Sequence, residues 1–345
     1  MDTRLHRELG AACFGPLMLQ FTSWLCRTAA EREISTLYFL SREGHFLQAA
    51  YEKFLALGLN GDVPATPCRY LLISRRAVFG AAIKDRTTLR QMLDAGMFDG
   101  SMHEMLRVRL GEAAVRAVPK DRTVSLPRDT DRVLDALVEA LPQLNEAASE
   151  ERAGLLAYAK RSGLLDTPRV GLVDLGYSGT IQRHLHVITG VPLTGFYFAT
   201  TSRTKKWESD ANRSLTCFGE SCELPDEKIP AFRYALALES WLTSPDPQLV
   251  RFDPEGEPVF GDESTMQRRF AELEAIDAGV HDYFEDVAHV GGGKDDLSWF
   301  AQEVMVSALH AERYKDVVGM LSIEDRFCGN DEIPIAHRLQ KWLEA

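Results

Sequence analysis

The sequence predicts an α/β protein with a mostly parallel sheet, a large helical insertion and a helical C-terminal region. Near the start of the chain and again around residue 170, apolar runs of strand length are each followed by a segment of helical periodicity. Residues 85–165 and the chain beyond Met266 have helical patterns instead. We therefore expect an α/β domain over residues 1–260 that contains the insertion, with residues 261–345 packed on it as helices.

Composition is that of an ordinary soluble globular protein: 345 residues, 45% of them hydrophobic and 26% charged. The formal net charge of −12 argues against a nucleic-acid partner, because nucleic-acid binding needs clustered lysine and arginine. No secretory signal is evident, and no apolar run approaches the roughly 20 residues that span a bilayer. A cytoplasmic protein with no transmembrane segment is therefore predicted, and its six scattered cysteines are expected to stay reduced.

The first half of the chain supplies a long helix and two strand–loop–helix units. Residues 4–31 have apolar side chains at three- and four-residue steps, and Gly15-Pro16 is expected to start a new helix within them. The first strand is ISTLYFLS (34–41) and the second is CRYLLIS (68–74). Candidate helix starts in the insertion are Asp85, Ser101 and residues 127–130.

The second half alternates strands and helices and then becomes mostly helical. A polar, charged loop is expected at residues 201–212, and the glycines at 291–293 are expected to form a hinge. The predicted elements are strands at VGLVD (170–174), VPLTGFYFAT (191–200) and SLTCFGE (214–220), a helix at residues 229–244, and a hairpin at LVRFDPEGEPVF (249–260).

Polar residues follow three of the predicted strands at their carboxyl ends, the edge where ligands of open α/β sheets bind. Arginine offers forked donors that match phosphate oxygens, and a helix N-terminus presents free backbone N–H groups. Together these residues predict a pyrophosphate or polyphosphate site. They are Ser41, Arg42, Glu43 and Gly44 after the first strand, Ser74, Arg75 and Arg76 after the second, and Asp174, Gly176, Tyr177, Ser178, Gly179, Thr180 and Gln182 after the third.

Each signal also has a structural explanation. Residues 176–180 have the composition of a tight βα turn with a Ser or Thr N-cap, and the charged residues after the first two strands can form surface ion pairs. Asp174 is less easily explained in this way, because a carboxylate at the end of a buried strand is costly unless it is paired or bound to a ligand. We therefore expect Asp174 to be functional.

Four weaker features have mainly structural interpretations. His184 and His186 lie two apart on a helix and point to different faces, so they are expected to be surface or core residues. Residues 129–131 (DTD) open a helix with no strand before them, which favours capping over metal binding. Residues 205–207 (KKW) are expected to form a solvated loop, with acceptor contact as the alternative. Glu239 lies among apolar neighbours, which suits either a structural ion pair or catalysis.

Three phosphate-handling designs place an aspartate at a strand end. A haloacid-dehalogenase phosphatase needs a second aspartate two positions on, where this chain has Gly176, so that design is excluded. Sugar kinases of the actin-like group use an Asp-x-Gly loop within a glycine-rich hairpin near the start of the chain, which Asp174 before a helix matches poorly. A phosphoribosyltransferase has the order found here: strand, acidic residue, small-residue loop, helix.

Five segments in order make the last comparison specific: GPLMLQFTSWL, LYFLSREGHFL, YLLISRRA, VGLVDLGYSGTIQ and ALESWLTSPDP. Together they resemble the glycan phosphoribosyltransferase domain of bacterial dual-domain ribofuranosyltransferases, over residues 10–260. The resemblance implies a phosphoribosyltransferase-like or Rossmann-like sheet. It also implies a glycosyltransferase that moves 5-phosphoribose from 5-phosphoribosyl-1-diphosphate to a hydroxyl of a glycan acceptor in surface polysaccharide synthesis. Mg²⁺ would accompany the diphosphate that leaves.

The same resemblance implies a role for each candidate residue. Asp174 would contact the ribose hydroxyls or the metal, and Glu43 or Glu239 would orient the acceptor hydroxyl or remove its proton. The 5-phosphate would be held by Gly176, Ser178, Gly179 and Thr180, and the departing diphosphate would be neutralised by Arg42, Arg75 and Arg76.

Two departures from the family pattern affect these implications. No apolar strand followed by Asp-x-Asp-x-Thr is present, so a separate phosphatase partner, an excised domain and a different acceptor all stay open. Glu43 stands where the family is expected to have aspartate, a change that keeps the carboxylate. Two other functions also stay open: a non-catalytic module that binds a phosphate ligand or a partner on the same fold, and a nucleotide-sugar glycosyltransferase. The lack of Asp-x-Asp at a strand end counts against the latter.

Overall fold

The computed structural model describes residues 2–221, 229–291, 297–336 and 339. Its first helices are α1 (Arg4–Leu9), α2 (Gly15–Glu31), α3 (Gly44–Ala56), α4 (Arg75–Ala82), α5 (Arg86–Leu93), α6 (Met102–Leu110), α7 (Glu112–Ala117) and α8 (Thr130–Glu139). The later helices are α9 (Leu141–Arg161), α10 (Thr180–Thr189), α11 (Pro230–Arg233), α12 (Ala235–Trp241), α13 (Thr265–Arg268), α14 (Phe270–Val290), α15 (Ser298–Leu309) and α16 (Lys315–Met320).

The strands are short and spread along the whole described chain. The first seven are β1 (Thr36–Leu40), β2 (Cys68–Leu71), β3 (Phe98–Ser101), β4 (Thr123–Leu126), β5 (Val170–Asp174), β6 (Leu193–Tyr197) and β7 (Thr200–Thr201). They are followed by β8 (Asn212–Thr216), β9 (Glu220–Ser221), β10 (Leu249–Phe252), β11 (Pro258–Phe260), β12 (Ser322–Asp325) and β13 (Asn330–Pro334).

Five parallel strands form the central sheet in the order β2-β1-β5-β6-β8, which confirms the predicted α/β class. Helices cover both faces. Leu37 and Phe39 of β1 share a core with α2 and α3, whereas Tyr38 and Leu40 share one with α4, α9 and α10. Because consecutive residues of a strand point to opposite faces, a strand buried on both faces needs a continuous apolar run. That is why these strands were readable in the sequence.

The strand order reverses between β1 and β5. From β1 the chain continues to β2 on one side of the sheet, and from β5 it continues to β6 on the other side. Such a reversal leaves a crevice beyond the carboxyl ends of the two strands, the usual ligand position in an open α/β sheet. Ser41, Arg42 and Glu43 directly follow β1 at this edge, and Asp174 is the last residue of β5.

The prediction of helices throughout residues 85–165 is wrong at one place. Strands β3 and β4 form an antiparallel pair in which Phe98 lies opposite Leu126 and Ser101 opposite Thr123. Helices α6 and α7 separate the two strands, so no turn signal marks the pair in the sequence and only tertiary contacts specify it. Helices α5, α6, α7 and α8 pack with these strands around an apolar core of the insertion itself.

Two predicted helix starts in the insertion are confirmed. The Asp85 carboxylate accepts the Thr88 N–H at 2.8 Å, and the Thr88 hydroxyl accepts the Asp85 N–H at 3.1 Å. Ser101 Oγ accepts an N–H of the first turn of α6 at 3.2 Å. Asp129 precedes α8 as predicted, but its carboxylate accepts the Ser125 N–H at 2.7 Å and makes no cap hydrogen bond. It therefore closes the turn before the helix instead of capping it.

The C-terminal region is mostly helical, but it also contains the antiparallel pair β12 and β13, which was not predicted. Helices α14 and α15 share a core with α1, α2 and the adjoining face of the sheet. Gly291 ends α14 in a left-handed conformation (φ 68°), and the other two glycines of the expected hinge lie outside the described residues. The helices of the C-terminal region therefore pack against the N-terminal helices and the sheet.

The N-terminal segment is one helix from Arg4 to Glu31, continued through a π-helical turn at Gly10–Phe14. Helix α2 begins at Gly15 with Pro16 in its first turn, as predicted. It continues directly from the preceding helix without a break in the chain direction. Among the described residues, this helix alone is long and apolar enough to cross a membrane by length and composition, contrary to the sequence estimate. Its most apolar window is 72% buried within the structure, as in the core helix of a globular protein.

The predicted elements of residues 190–260 are largely confirmed. The segment SLTCFGE contributes to β8, the edge strand of the central sheet, and β10 and β11 form the hairpin. The expected loop at 201–212 begins within β7, contains a 3₁₀ turn at Thr204–Lys206, and ends where β8 begins. It connects β7, which pairs with β9 in a separate small sheet, to the start of β8 in the central sheet.

Candidate functional site

Arg42 lies where the chain leaves β1 at the strand-order reversal. Its backbone is left-handed (φ 78°), and its N–H donates to the Tyr70 hydroxyl at 3.1 Å. Helix α3 begins two residues later at Gly44, where a Cβ atom would lie 2.6 Å from a backbone carbon of β1. Gly44 is therefore required for packing. This sharp bend brings Arg42 and Glu43 within electrostatic range of Asp174.

Two carboxylates contact the Arg42 guanidinium directly. Its Nε donates to Glu43 Oε1 at 2.7 Å, and its Nη2 contacts the same oxygen and reaches Glu239 Oε2 at 3.3 Å. Glu239 belongs to α12, so this contact joins distant parts of the chain. Burial opposes the charged form of Arg42, but the charges of Glu43 and Glu239 outweigh burial and raise the Arg42 pKa. Arg42 is therefore a permanent cation at the centre of the group.

Asp174 adds a third carboxyl group with little support from the protein. Within the described residues, its one hydrogen bond comes from the Leu175 N–H at 2.9 Å. Burial, together with the charge of Glu43, raises the Asp174 pKa to about 8. Burial also raises the Glu239 pKa to about 7, against the opposing charge of Arg42 and with the help of Glu43. At neutral pH the group thus holds protons that a bound cation or a ligand hydroxyl would displace or share.

The turn between β5 and α10 depends on two glycines. A Cβ atom at Gly176 (φ 148°) would lie 2.4 Å from the carbonyl oxygen of Ala199. Gly179 (φ 60°) is the N-cap of α10 and has no side chain to cap it, which contradicts the alternative of a Ser or Thr cap. Thr180 is the first residue of the helix. The first turn of α10 therefore has no side-chain cap, the condition in which helix N-termini bind anions.

The two side chains of this turn face different surroundings. Ser178 Oγ lies 3.2 Å from Thr201 Oγ1. The Tyr177 ring lies 5.2 Å from that of Phe232, and its buried hydroxyl has no hydrogen-bond partner within the described part of the chain. Burial, and then the charges of nearby glutamates, raise the Tyr177 pKa well above its ordinary value. Because buried polar groups are normally paired, this hydroxyl offers a hydrogen bond to a ligand.

Arg75 is a cation of the site for which the described residues supply no hydrogen bond or ion pair. It is exposed at the start of α4, and its guanidinium carbon lies 5.2 Å from the centre of the Phe327 ring. No hydrogen bond or ion pair engages it among the described residues. Its charge reaches Glu239 and favours the ionised form of that carboxyl group. Arg75 is therefore available to an anionic ligand that approaches the carboxyl ends of the strands.

Arg76 is not part of the site, contrary to prediction. It is 4% exposed, and its two Nη atoms donate to the two carboxylate oxygens of Glu151 on α9, at 2.7 and 2.8 Å. Consecutive residues of a helix point about 100° apart, so Arg75 and Arg76 cannot face the same crevice. The sequence alone did not show which of the two arginines points toward the carboxyl ends of the strands and which is buried in an ion pair.

Gln182 also serves the fold instead of a ligand. It is fully buried beneath α10, where its Oε1 accepts from the Tyr197 hydroxyl at 2.8 Å and its Nε2 donates to Asn212 Oδ1 at 2.7 Å. Its Nε2 also donates to the backbone oxygen of Arg213 at 2.7 Å. Its amide thereby ties the helix to β6 and β8, which leaves no role in substrate contact.

Two of the predicted serines, Ser74 and Ser41, bind the backbone. Ser74 Oγ caps α4 by accepting the Ala77 N–H at 3.0 Å, and it donates to the carbonyl oxygen of Leu249 at 2.7 Å. Ser41 Oγ donates to the carbonyl oxygen of Ile73 at 2.5 Å and accepts its N–H at 3.0 Å. Both residues therefore hold the loops after β1 and β2 in place, so that they position the site without facing it.

The remaining sequence candidates lie apart from this group. His184 is buried against Phe79, its Nδ1–H donates to the carbonyl oxygen of Thr180 at 2.8 Å, and burial lowers its pKa to about 4. His186 Nδ1 contacts the carbonyl oxygen of Val191 at 2.7 Å. Lys205 is exposed and pairs with Glu220 at 2.5 Å. Among the cysteines of the described residues, Cys13, Cys26, Cys68 and Cys328 form no disulfide, and Cys222 lies outside the described residues.

The sequence did not reveal several residues around the site. Asp325 and Phe327 come from the C-terminal strand pair, and the charge of Asp325 reaches both Arg42 and Glu239. The Gly-Asn dipeptide after Cys328 is a turn signal that, with the flanking strand pattern, marks this pair. The Trp207 ring packs against the backbone of Gly179, a contact for which the sequence gives no signal.

The described residues do not assemble a complete protein cage for a cation: no group of three or more His, Cys, Asp or Glu side chains among them has the geometry to hold a metal ion. Of the nearby carboxyl groups, Glu43 and Glu239 contact Arg42, which leaves Asp174 as the available donor. Mg²⁺ is commonly bound through one or two carboxylates together with substrate phosphates and water. The residues therefore fit a Mg²⁺ ion that is held mainly by a diphosphate.

Two surface depressions lie away from this edge of the sheet. One, of about 500 Å³, is lined by residues of the N-terminal helix, α14 and α15, and the other, of about 570 Å³, lies beside the start of β8. Neither is lined by Arg42, Glu43, Asp174 or Glu239.

Comparison with models of protein families gives no match for the chain, and no curated protein is significantly similar to it in sequence. The functional conclusion therefore depends on the site itself.

Proposed function

We propose that this protein is a Mg²⁺-dependent glycosyltransferase that moves 5-phosphoribose from 5-phosphoribosyl-1-diphosphate to a hydroxyl of a glycan acceptor and releases diphosphate. The observation that carries the proposal is the convergence of Arg42, Glu43, Asp174 and Glu239 at the reversal of strand order. This is the position where open α/β sheets bind ligands, and three separate stretches of the chain contribute to it.

The features around Asp174 suit the sugar phosphate. A carboxyl group beside an uncapped helix N-terminus can hold ribose hydroxyls while backbone N–H groups of α10 bind the 5-phosphate. Gly176 and Gly179 keep side chains out of this turn, and Ser178 and Thr180 add hydroxyl donors. The unpaired Tyr177 hydroxyl offers one further hydrogen bond.

The charged groups divide between the leaving group and the acceptor. Arg75, which is free of ion pairs within the described residues, is the best placed cation for the diphosphate, where negative charge develops as the glycosidic bond breaks. Mg²⁺ bound to the diphosphate would supply further charge neutralisation. Glu239, with a pKa of about 7 and a single contact to Arg42 at 3.3 Å, is better suited than the more closely paired Glu43 to take the proton of the acceptor hydroxyl. Arg42, which Glu43 holds, contacts Glu239 and keeps it in position.

The test compares the binding of different sugar donors to the purified chain. Binding of 5-phosphoribosyl-1-diphosphate with Mg²⁺ should be measured by calorimetry, with UDP-sugars and inorganic phosphate as controls. We expect binding that is selective for the phosphoribosyl donor and needs Mg²⁺. Glu239→Gln should keep this binding and lose transfer to a glycan acceptor.

Other outcomes would select the alternatives. Selective binding of UDP-sugars would indicate a nucleotide-sugar glycosyltransferase. Donor binding with no consumption of the donor in the presence of glycan acceptors would indicate a binding module on the same fold. Binding of no donor with Mg²⁺ present would contradict the proposal.

A further inference from the structure

Phe327 is placed between two arginines at the edge of the site. Its ring centre lies 5.2 Å from the guanidinium carbon of Arg75 and 4.4 Å from that of Arg109. The ring is 5% exposed and stacks on Phe79 at 5.7 Å between ring centres. It belongs to the turn between β12 and β13, far in sequence from every predicted site residue.

Arg109 fixes this turn to the insertion. Its Nε donates to the carbonyl oxygen of Phe327 at 3.0 Å, so the residue whose ring it contacts is also held through its backbone. Its remaining donors bond carbonyl oxygens in and after α5. Arg109 therefore has no capacity left for a ligand, and its role toward the site is to hold Phe327.

Arg75 differs from Arg109 in the same contact. It lies over the ring but is exposed, and among the described residues nothing else engages its guanidinium. An arginine side chain loses rotamer entropy when a ligand immobilises it. An aromatic face attracts a guanidinium and restricts it before the ligand arrives.

We propose that Phe327 is a positioning residue that holds Arg75 in place for the diphosphate of the donor. The C-terminal strand pair β12–β13 is then part of the binding site. This inference rests on the proposed function for the identity of the ligand. It needs only a phosphate anion for its test.

The experiment measures binding of inorganic pyrophosphate with Mg²⁺, and of 5-phosphoribosyl-1-diphosphate with Mg²⁺, to four full-length variants. Arg75→Ala should weaken binding about 10-fold, since it removes a charge-assisted contact. Phe327→Leu should weaken it about 3-fold, in line with an aromatic–cation contact. In the double variant Arg75→Ala/Phe327→Leu, the second change should have no further effect.

Phe98→Leu is the matched control. Phe98 lies 5.9 Å from Arg109 and is buried in the same core, but it is not in contact with Arg75. It should lose stability as Phe327→Leu does and keep wild-type affinity. Should Phe327→Leu fail to fold, Phe327→4-fluorophenylalanine keeps the shape of the ring, weakens its attraction for cations, and should lower affinity about 2-fold.

The outcomes separate this inference from the proposed function. Pyrophosphate binding that depends jointly on Arg75 and Phe327, without donor binding, supports the positioning role and contradicts the transferase. Donor binding that Phe327→Leu leaves unchanged, or lowers equally in the Arg75→Ala background, overturns the positioning role alone. If the wild type does not bind pyrophosphate, the positioning role of Phe327 is also overturned.

Discussion

Two arginines of this protein occupy opposite kinds of surroundings. Arg109 is fully buried in the insertion, and its hydrogen bonds all go to backbone carbonyl oxygens. Arg42, at the sheet edge, has a side chain that is 38% exposed and is approached by carboxylates from two elements, with Asp174 nearby. Burial lowers the Arg109 pKa to about 10, whereas the carboxylates raise the Arg42 pKa.

The difference is between a charge whose hydrogen bonds are satisfied by the backbone and a charge that lies among several carboxyl groups. Around Arg109, the donors of one side chain match acceptors that are already in place, so nothing remains to be bound. Around Arg42, the carboxyl groups outnumber the cation that contacts them, and two of them have raised pKa values. Such an excess lowers the stability of the folded protein, and it is explained if a ligand or metal ion completes the group.

Removal of Arg109 is expected to have the largest effect on stability. Arg109→Met should lower the free energy of unfolding by about 4 kcal/mol, because several buried carbonyl oxygens would lose their donor together. Arg107→Met on the same helix is the control, since its exposed ion pairs should contribute less than about 1 kcal/mol. Denaturant unfolding measures both. Equal losses would show that the Arg109 hydrogen bonds contribute little.

Arg75 and Arg76, which are neighbours on α4, allow the same comparison within one helix. Arg76→Ala leaves the buried Glu151 carboxylate unpaired and should cost about 3 kcal/mol of stability. Arg75→Ala should leave the free energy of unfolding within about 0.5 kcal/mol of the wild type while it weakens anion binding. Urea unfolding and pyrophosphate titration of each variant give the two readouts. A stability loss in Arg75→Ala would place it with the structural arginines.

The last expected change is in the dependence of stability on pH. The Asp174 pKa is about 8 in the folded protein against an ordinary value of 3.8, so the folded state binds this proton more tightly than the unfolded state. The resulting stabilisation is complete below about pH 4 and is lost as pH rises through about 8. Asp174→Asn cannot ionise, so its stability relative to that of the wild type should rise between about pH 4 and about pH 8 and then stay constant. Unfolding of both proteins from pH 4 to pH 9 measures this.

If the difference in the free energy of unfolding between Asp174→Asn and the wild type stays constant from pH 4 to pH 9, Asp174 is already ionised at neutral pH. Glu239→Gln is a useful companion, since the Glu239 pKa is also raised, to about 7. Its difference from the wild type should stop growing near pH 7, about one pH unit below the corresponding point for Asp174→Asn.

Much of the fold was readable from the sequence because its signals are local. Strands β1 and β5 are continuous apolar runs, and Asp85 and Ser101 are helix caps whose partners lie three residues away. The pair β3 and β4 was not readable, because two helices separate its strands. The same reason applies to Phe327, whose contact with Arg75 spans most of the chain.

For the candidate site, the sequence predicted only which residues follow the ends of the strands. Parallel strands bring their carboxyl ends to one edge, which is why Arg42, Glu43 and Asp174 meet as expected. The direction of an individual side chain was not readable: Arg76 turned to Glu151, and Gln182 turned into the sheet. Orientation depends on the partner that each side chain finds in three dimensions.

The central claim is that the group around Asp174 binds the phosphoribosyl donor with Mg²⁺ in its ionised form. The most direct test is calorimetric titration of 5-phosphoribosyl-1-diphosphate with Mg²⁺ at pH 7, in two buffers of different ionisation enthalpy, for the wild type and Asp174→Asn. The account predicts binding with proton release by the wild type, and binding at least about 100-fold weaker without that release by the variant. Equal binding by both proteins, or no binding by the wild type, would contradict it.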